Sequence, residues 1–226
     1  MLSSLFMPAV LVLLAPALAL VASLMRPYRL LQVPPRAADL PGFDLVHDGQ
    51  GYFLYVIMPL LFVMAAMLTP ILSATHTLIE ERERRSLELL MALPVSVGDI
   101  LAAKLAANLA TALATIVPMF LLAGVVILTL THAGTGYVIG ALFLLVTTIA
   151  ASVGASLLLA LLARDRGTAT SLGGMLAVPP LGLTGLCVVF VPGLGRFLVL
   201  GLLMLALAFM SIYAGLRWLT TERYVS

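Results

Sequence analysis

Charge is scarce in this 226-residue sequence: 10% of its residues are Asp, Glu, Lys or Arg, against about 25% in an ordinary soluble domain. With 62% hydrophobic residues, such a chain cannot cover a water-facing exterior, and it reads as an integral membrane protein. Cysteine is nearly absent too. The single Cys187 lies inside an apolar run, which excludes a disulfide within the chain and any cysteine-built zinc site, and leaves the redox compartment unreadable. Gly-x-x-x-x-Gly-Lys-Ser/Thr occurs nowhere, so no phosphate-cradling loop of that kind is present. The net charge of +2 is carried in short clusters between apolar runs, which form no basic stripe for nucleic acid.

Crossing about 30 Å of hydrocarbon takes roughly 20 helical residues, and charge-free runs of that length occur at 5–25, 52–75, 105–130, 137–163, 167–192 and 197–216. None alternates with period two, as a membrane barrel strand would, and backbone groups in lipid must be satisfied within their own segment. The expected fold is therefore all-α, with six transmembrane helices in one bundle spanning 1–226. The first run resembles a signal peptide in its small residues near Ala22 and Ser23. It lacks a preceding basic residue, however, and exceeds the usual apolar length of about 7–15 residues, so it reads as a retained span. The fifth carries Gly173-Gly174 and Pro179-Pro180, which predicts a kink near residues 178–180 and a neighbour or re-entrant turn for the freed carbonyls.

Basic residues are retained on the cytoplasmic side of membranes. One side would hold Arg82, Arg84, Arg85, Lys104, Arg164, Arg166, Arg217 and Arg223, and the other only Arg26, Arg29, Arg36 and Arg196. This asymmetry predicts both termini in the cytoplasm and makes 26–51, rich in Pro and Gly, a sizeable outer loop without long regular structure.

Residues 76–104 form the largest cytoplasmic stretch. Glu80 to Arg84 and Glu81 to Arg85 are i,i+4 pairs in the favourable acid-first order, worth about 0.2–0.5 kcal/mol each on an exposed helix. Leu87, Leu90 and Met91 share one face beside Glu88, Pro94 ends the run, and Ser96 with Asp99 can cap a second helix leading into the third span. By pattern alone, this is either a docking helix or a solvated loop whose leucines rest on the bilayer surface.

The stretch from Glu81 to Ser96, Glu-Arg-Glu-Arg-Arg-Ser-Leu-Glu-Leu-Leu-Met-Ala-Leu-Pro-Val-Ser, resembles the segment after the second span of type-2 ABC exporter permeases. There the pattern runs roughly Glu-x-Glu-x-Gly-Thr-Leu-Glu-x-Leu-Leu-x-x-Pro-Val-Ser. Arg85 stands at the usual Gly and Ser86 at the usual Thr. The basic amphipathic tail from Gly215 to Tyr224 is similar to the tail of many such permeases. The resemblance implies that this stretch is a coupling helix docking on a separate ABC ATPase subunit through Glu81, Glu83, Leu87, Glu88, Leu90, Met91, Pro94 and Ser96. It implies further that two permease copies, identical or related, pair within membrane lipid, and that ATP and Mg are bound by the partner, with no cofactor in this chain. Such permeases usually begin with a cytoplasmic interfacial helix, whereas this chain enters the membrane almost at once. Either that helix has been lost or the true start lies upstream.

Reactive groups are missing where intramembrane chemistry would need them. His47, His76 and His132 lie in loops or at span ends, Asp44, His47 and Asp48 make a weak ligand set, and no carboxylate pair or Ser-His-Asp set falls at membrane depth. Proton and sodium carriers place ionisable groups inside the membrane, and these runs contain none. The alternatives to an exporter subunit are thus a secondary transporter without ATP coupling and a membrane anchor or assembly subunit. The spans do carry two polar stripes: Asn108, Thr111 and Thr115 on the third, and Thr148, Ser152 and Ser156 on the fourth. They serve either as hydrogen bonds between helices or as a weakly polar substrate path suited to an amphipathic or lipid-like molecule.

The topology is tested by labelling. With Cys187 replaced, single cysteines at Asp44 and Ser86 should react with an impermeant thiol reagent from opposite sides of the membrane. Reaction of both in intact cells would reverse the assignment.

Overall fold

The computed structural model describes residues 21, 40–46, 49–83, 97–131, 133–162 and 166–225. Among these, every regular element is helical. A single 3₁₀ turn, Pro41–Phe43, precedes α1 (Gly49–Tyr52), a π turn (Phe53–Ile57) and α2 (Met58–Glu83), which continue one another without a break. Then come α3 (Val97–Leu130), α4 (Thr135–Leu162), α5 (Arg166–Phe190) and α6 (Gly195–Val225). Five stretches are long and apolar enough to cross a membrane: Gly49–Leu68, Ala102–Leu130, Thr135–Leu159, Ser171–Phe190 and Gly195–Gly215. They coincide with the second to sixth predicted runs. The first predicted run lies outside the described residues apart from Val21.

Some boundaries moved. The helical path into the second run already starts at Gly49, inside the stretch read as loop, because Gly49 and Gly51 precede an apolar sequence that carries the helix. In α5, Pro179 and Pro180 are both accommodated within one helix.

α4 is the axis of the bundle and touches each of α2, α3, α5 and α6. Its sequence explains this position. Every residue from Ala151 to Leu157 is buried, and the stretch reads Ala-Ser-Val-Gly-Ala-Ser-Leu, small enough for neighbours to close on all sides. At Gly154 an added Cβ would lie 3.1 Å from both Ala208 O and Ser211 Cβ of α6, so the absence of a side chain sets how closely α4 and α6 approach. Lipid tails are as apolar as leucine, so such close van der Waals packing, rather than withdrawal from water, holds membrane helices together. Edge-to-face rings extend the contact: Phe62 meets Phe120 at 5.1 Å between centroids, and Tyr137 meets Phe197 at 5.2 Å. α3, α5 and α6 instead turn large apolar side chains outward, among them Leu122, Met175, Phe209 and Met210.

Residues 40–46 lie against the end of α5. Gly42 is buried there, and a Cβ on it would occupy the space of the Val188 and Val189 carbonyls, which are helix backbone and cannot swing aside. Gly42→Ala should therefore lower stability by about 1–3 kcal/mol, the usual cost of overpacking. Gly182→Ala, which meets nothing within 4 Å, should not. Thermal unfolding of the two variants in detergent, followed by loss of the monodisperse peak, checks the contrast.

Candidate functional site

Among the described residues two polar constellations are organised by prolines of α2, Pro59 and Pro70. Proline has no N–H, so the carbonyl one helical turn before it loses its backbone donor. For Pro70 that carbonyl belongs to Ala66. Ser152 of α4 supplies the missing donor: its hydroxyl lies 3.1 Å from Ala66 O and equally far from Ile149 O in its own helix. Next to it, Asn108 of α3 donates through Nδ2 to Pro70 O at 3.3 Å and, at 3.4 Å, to Ser156 Oγ. Ser156 donates to Val153 O at 2.7 Å and Thr148 to Leu144 O at 2.7 Å. Thr148, Ser152 and Ser156 are all buried.

The structure thus places the α4 stripe against α2, with Asn108 reaching into it from α3. Thr111 and Thr115 lie elsewhere. They sit on the exposed border of α3, beside the buried row Ala112, Ile116 and Phe120, and each hydroxyl returns to its own helix, Thr111 to Ala107 O and Thr115 to Thr111 O, both at 2.8 Å. Self-satisfied threonines give a surface that is only weakly polar. Asn108 Oδ1 is buried and has no hydrogen-bond partner among the described residues.

The second constellation was not legible as a site. Arg196, fully buried in the first turn of α6, donates through Nε to Gly193 O (2.7 Å), through Nη1 to Tyr55 O (3.1 Å), and through Nη2 to Gly42 O (2.8 Å) and Asp44 Oδ1 (3.2 Å). Pro59 prepares it. In the π turn the Met58 N–H bonds Phe53 O, and Pro59 can pair neither Leu54 O in that spacing nor Tyr55 O in α-helical spacing. Arg196 donates to Tyr55 O, and the Tyr137 hydroxyl to Leu54 O at 2.8 Å. The guanidinium also stands 5.5 Å from the centroid of the Tyr55 ring, close enough for a cation–π contribution.

Arg196 corrects the expectation of charge-free spans. The sixth run was begun at Phe197, but the apolar helix begins at Gly195 and takes the charge inside with it. Four hydrogen bonds, one of them to a carboxylate, make that burial tolerable. The only sequence signal was a lone arginine between Gly195 and Phe197 after a Pro-Gly-Leu-Gly corner. Asp44, read as a weak metal ligand, is the ion-pair partner instead; His47 and Asp48 lie outside the described residues.

Of the expected ATPase contacts, Glu81 and Glu83 fall in the last turn of α2, continuous with the span, so the helix leaves the apolar region without a corner. Leu87, Glu88, Leu90, Met91, Pro94 and Ser96 lie outside the described residues. α3 is described from Val97 onward, and the predicted cap at Ser96 lies outside the described residues.

If Ser152 compensates for Pro70, the two should couple. Ser152→Ala should cost about 0.6–1.7 kcal/mol, the range measured for hydrogen bonds between membrane helices, when Pro70 is present. It should cost much less in a Pro70→Ala chain, where the restored N–H answers Ala66 O. A double-mutant cycle on unfolding in detergent reads the difference.

Residues 29–219 match the sequence model of the ABC-2 family transporter proteins. No curated protein and no solved structure matches the chain.

Proposed function

The chain belongs to the ABC-2 family of transporter proteins, and on that premise we propose that it is the permease subunit of an ATP-driven exporter in a prokaryotic cytoplasmic membrane. It is a multi-pass membrane transport component; the family match over 29–219 is the observation that carries this reading. In the proposal, ATP and Mg are bound by a separate ABC ATPase subunit, two permease copies pair, and both termini face the cytoplasm. The stretch from Glu81 to Ser96 receives the ATPase. The structure supports its mechanical part in one respect: α2 runs unbroken from Met58 to Glu83, so a push at Glu81 and Glu83 would travel along a single rod to Pro70 and the core of the bundle.

The cargo we infer is amphipathic or lipid-like. Along the open border of α3, Thr111 and Thr115 break an otherwise apolar surface without offering charge, and Asn108, half-buried at its inner edge, adds an amide. A bare ion would find nothing there to replace its hydration. Thr148, Ser152 and Ser156 support that border from behind.

The test is made on the complex in vesicles. A Walker-bearing ATPase should co-purify in mild detergent, and Leu87→Asp or Glu88→Arg should abolish substrate-stimulated ATP hydrolysis while the permease stays in the membrane, because an unmatched charge in a small interface costs several kcal/mol. Asn108→Leu should alter stimulation by amphiphiles and spare basal hydrolysis. Transport without any ATPase would identify a carrier, and absence of transport with a bound ATPase an anchor.

A further inference from the structure

An ionisable side chain within a membrane span marks function by default, and Arg196 has no part in the export reading above. Its four hydrogen bonds fall into two groups. Nε and Nη1 hold the bundle itself, through Gly193 O at the α5–α6 corner and Tyr55 O in the π turn. Nη2 holds residues 40–46, through Gly42 O and Asp44 Oδ1. One cation therefore joins three stretches that are distant in sequence. The two charges differ in burial: the Arg196 side chain is 2% exposed and that of Asp44 40%. Arg196 is the fixed part and Asp44, already in contact with the surroundings, the removable one.

Apart from the Asp44 contacts, the segment is held by the Arg196 bond to Gly42 O and by packing. Gly42 lies flat on the Val188 and Val189 carbonyls with no side chain keyed into a hole, Val46 is tucked in at 7% exposure, and the Gly193 N–H donates to Asp44 Oδ1 at 3.1 Å. Lifting the segment would withdraw Val46, its buried side chain. Beside it, the π turn Phe53–Ile57 presents Tyr55 O to the guanidinium at 3.1 Å, and such turns inside helices are frequent at functional sites.

We propose that Asp44 and Arg196 form a latch that holds residues 40–46 shut over this end of the permease, and that the Asp44–Arg196 pair breaks and reforms in each transport cycle. The ATP-dependent part rests on the exporter reading, whose own failure is read separately by whether an ATPase co-purifies.

The reporter is Val46→Cys in a Cys187→Ser chain, reconstituted with its ATPase and treated with an impermeant maleimide. Labelling should be slow without nucleotide and faster during ATP turnover. Asp44→Asn should raise the nucleotide-free rate about tenfold, the scale of losing a charge-assisted hydrogen bond, and remove most of its ATP dependence. Asp44→Glu, which keeps the charge, should remain slow and ATP-dependent. An unchanged rate in Asp44→Asn overturns the latch. So does a fast Asp44→Asn rate combined with no ATP dependence in the native clasp, which would make the cluster a fixed strut.

Discussion

Every backbone carbonyl within hydrocarbon must find a donor, and prolines in the first described span break that rule at chosen places. Pro59 and Pro70 each remove a donor, and the surrounding helices supply replacements: Tyr137 from α4, Arg196 from α6 and Ser152 from α4. The bundle is registered by these substitutions. A greasy interface tolerates sliding, since one apolar contact is much like the next, whereas a carbonyl that only one side chain can reach fixes both the rotation and the height of its neighbour. α4 takes part at both levels, through Tyr137 near its start and Ser152 in its middle, which suits the helix that touches all the others.

The two levels differ in chemistry. At Pro70 the compensating groups are buried hydroxyls and a half-buried amide, and nothing there needs to be charged. At Pro59 the compensating group is a guanidinium, which also binds two carbonyls and a carboxylate. A neutral hydroxyl could have answered Tyr55 O alone. An arginine costs far more to bury, and its five donors suit a place where several chain segments must be gathered at once.

The run structure was legible because it depends on one quantity, the absence of charge over about 20 residues, and the five apolar stretches found among the described residues overlap the second to sixth predicted runs. What the runs could not disclose was which polar residues face which neighbours. Thr148, Ser152 and Ser156 fall on one helical face by counting, but whether that face meets a helix or a passage depends on the partner of Ser152, and Ala66 lies 86 residues away. Pro70 was visible, and with it the freed Ala66 carbonyl; the serine that answers it was not. Arg196 was missed for a related reason. Charge counting treats an arginine at a run's edge as a boundary marker, and only the meeting of Asp44, Tyr55 and Gly193 turns it into a buried hub.

The same constraint separates the two ends of the molecule. Where the chain passes Asp44, Tyr55 and Arg196, the polar groups face one another, so motion there requires bonds within the chain to be exchanged. At the opposite end, Glu80–Arg85 is a run of six consecutive charges following an apolar helix, and the leucines beyond it have a charged neighbour on the same stretch. α2 joins the ends: it starts on the π turn, passes the Pro70 layer and stops among the charges. Along α2 from its charged end lie, in order, the layer tied by Asn108 and Ser152 and the π turn tied by Arg196. Both layers are held by side chains from other helices rather than by α2 itself, so the position of α2 is fixed jointly by α3, α4 and α6.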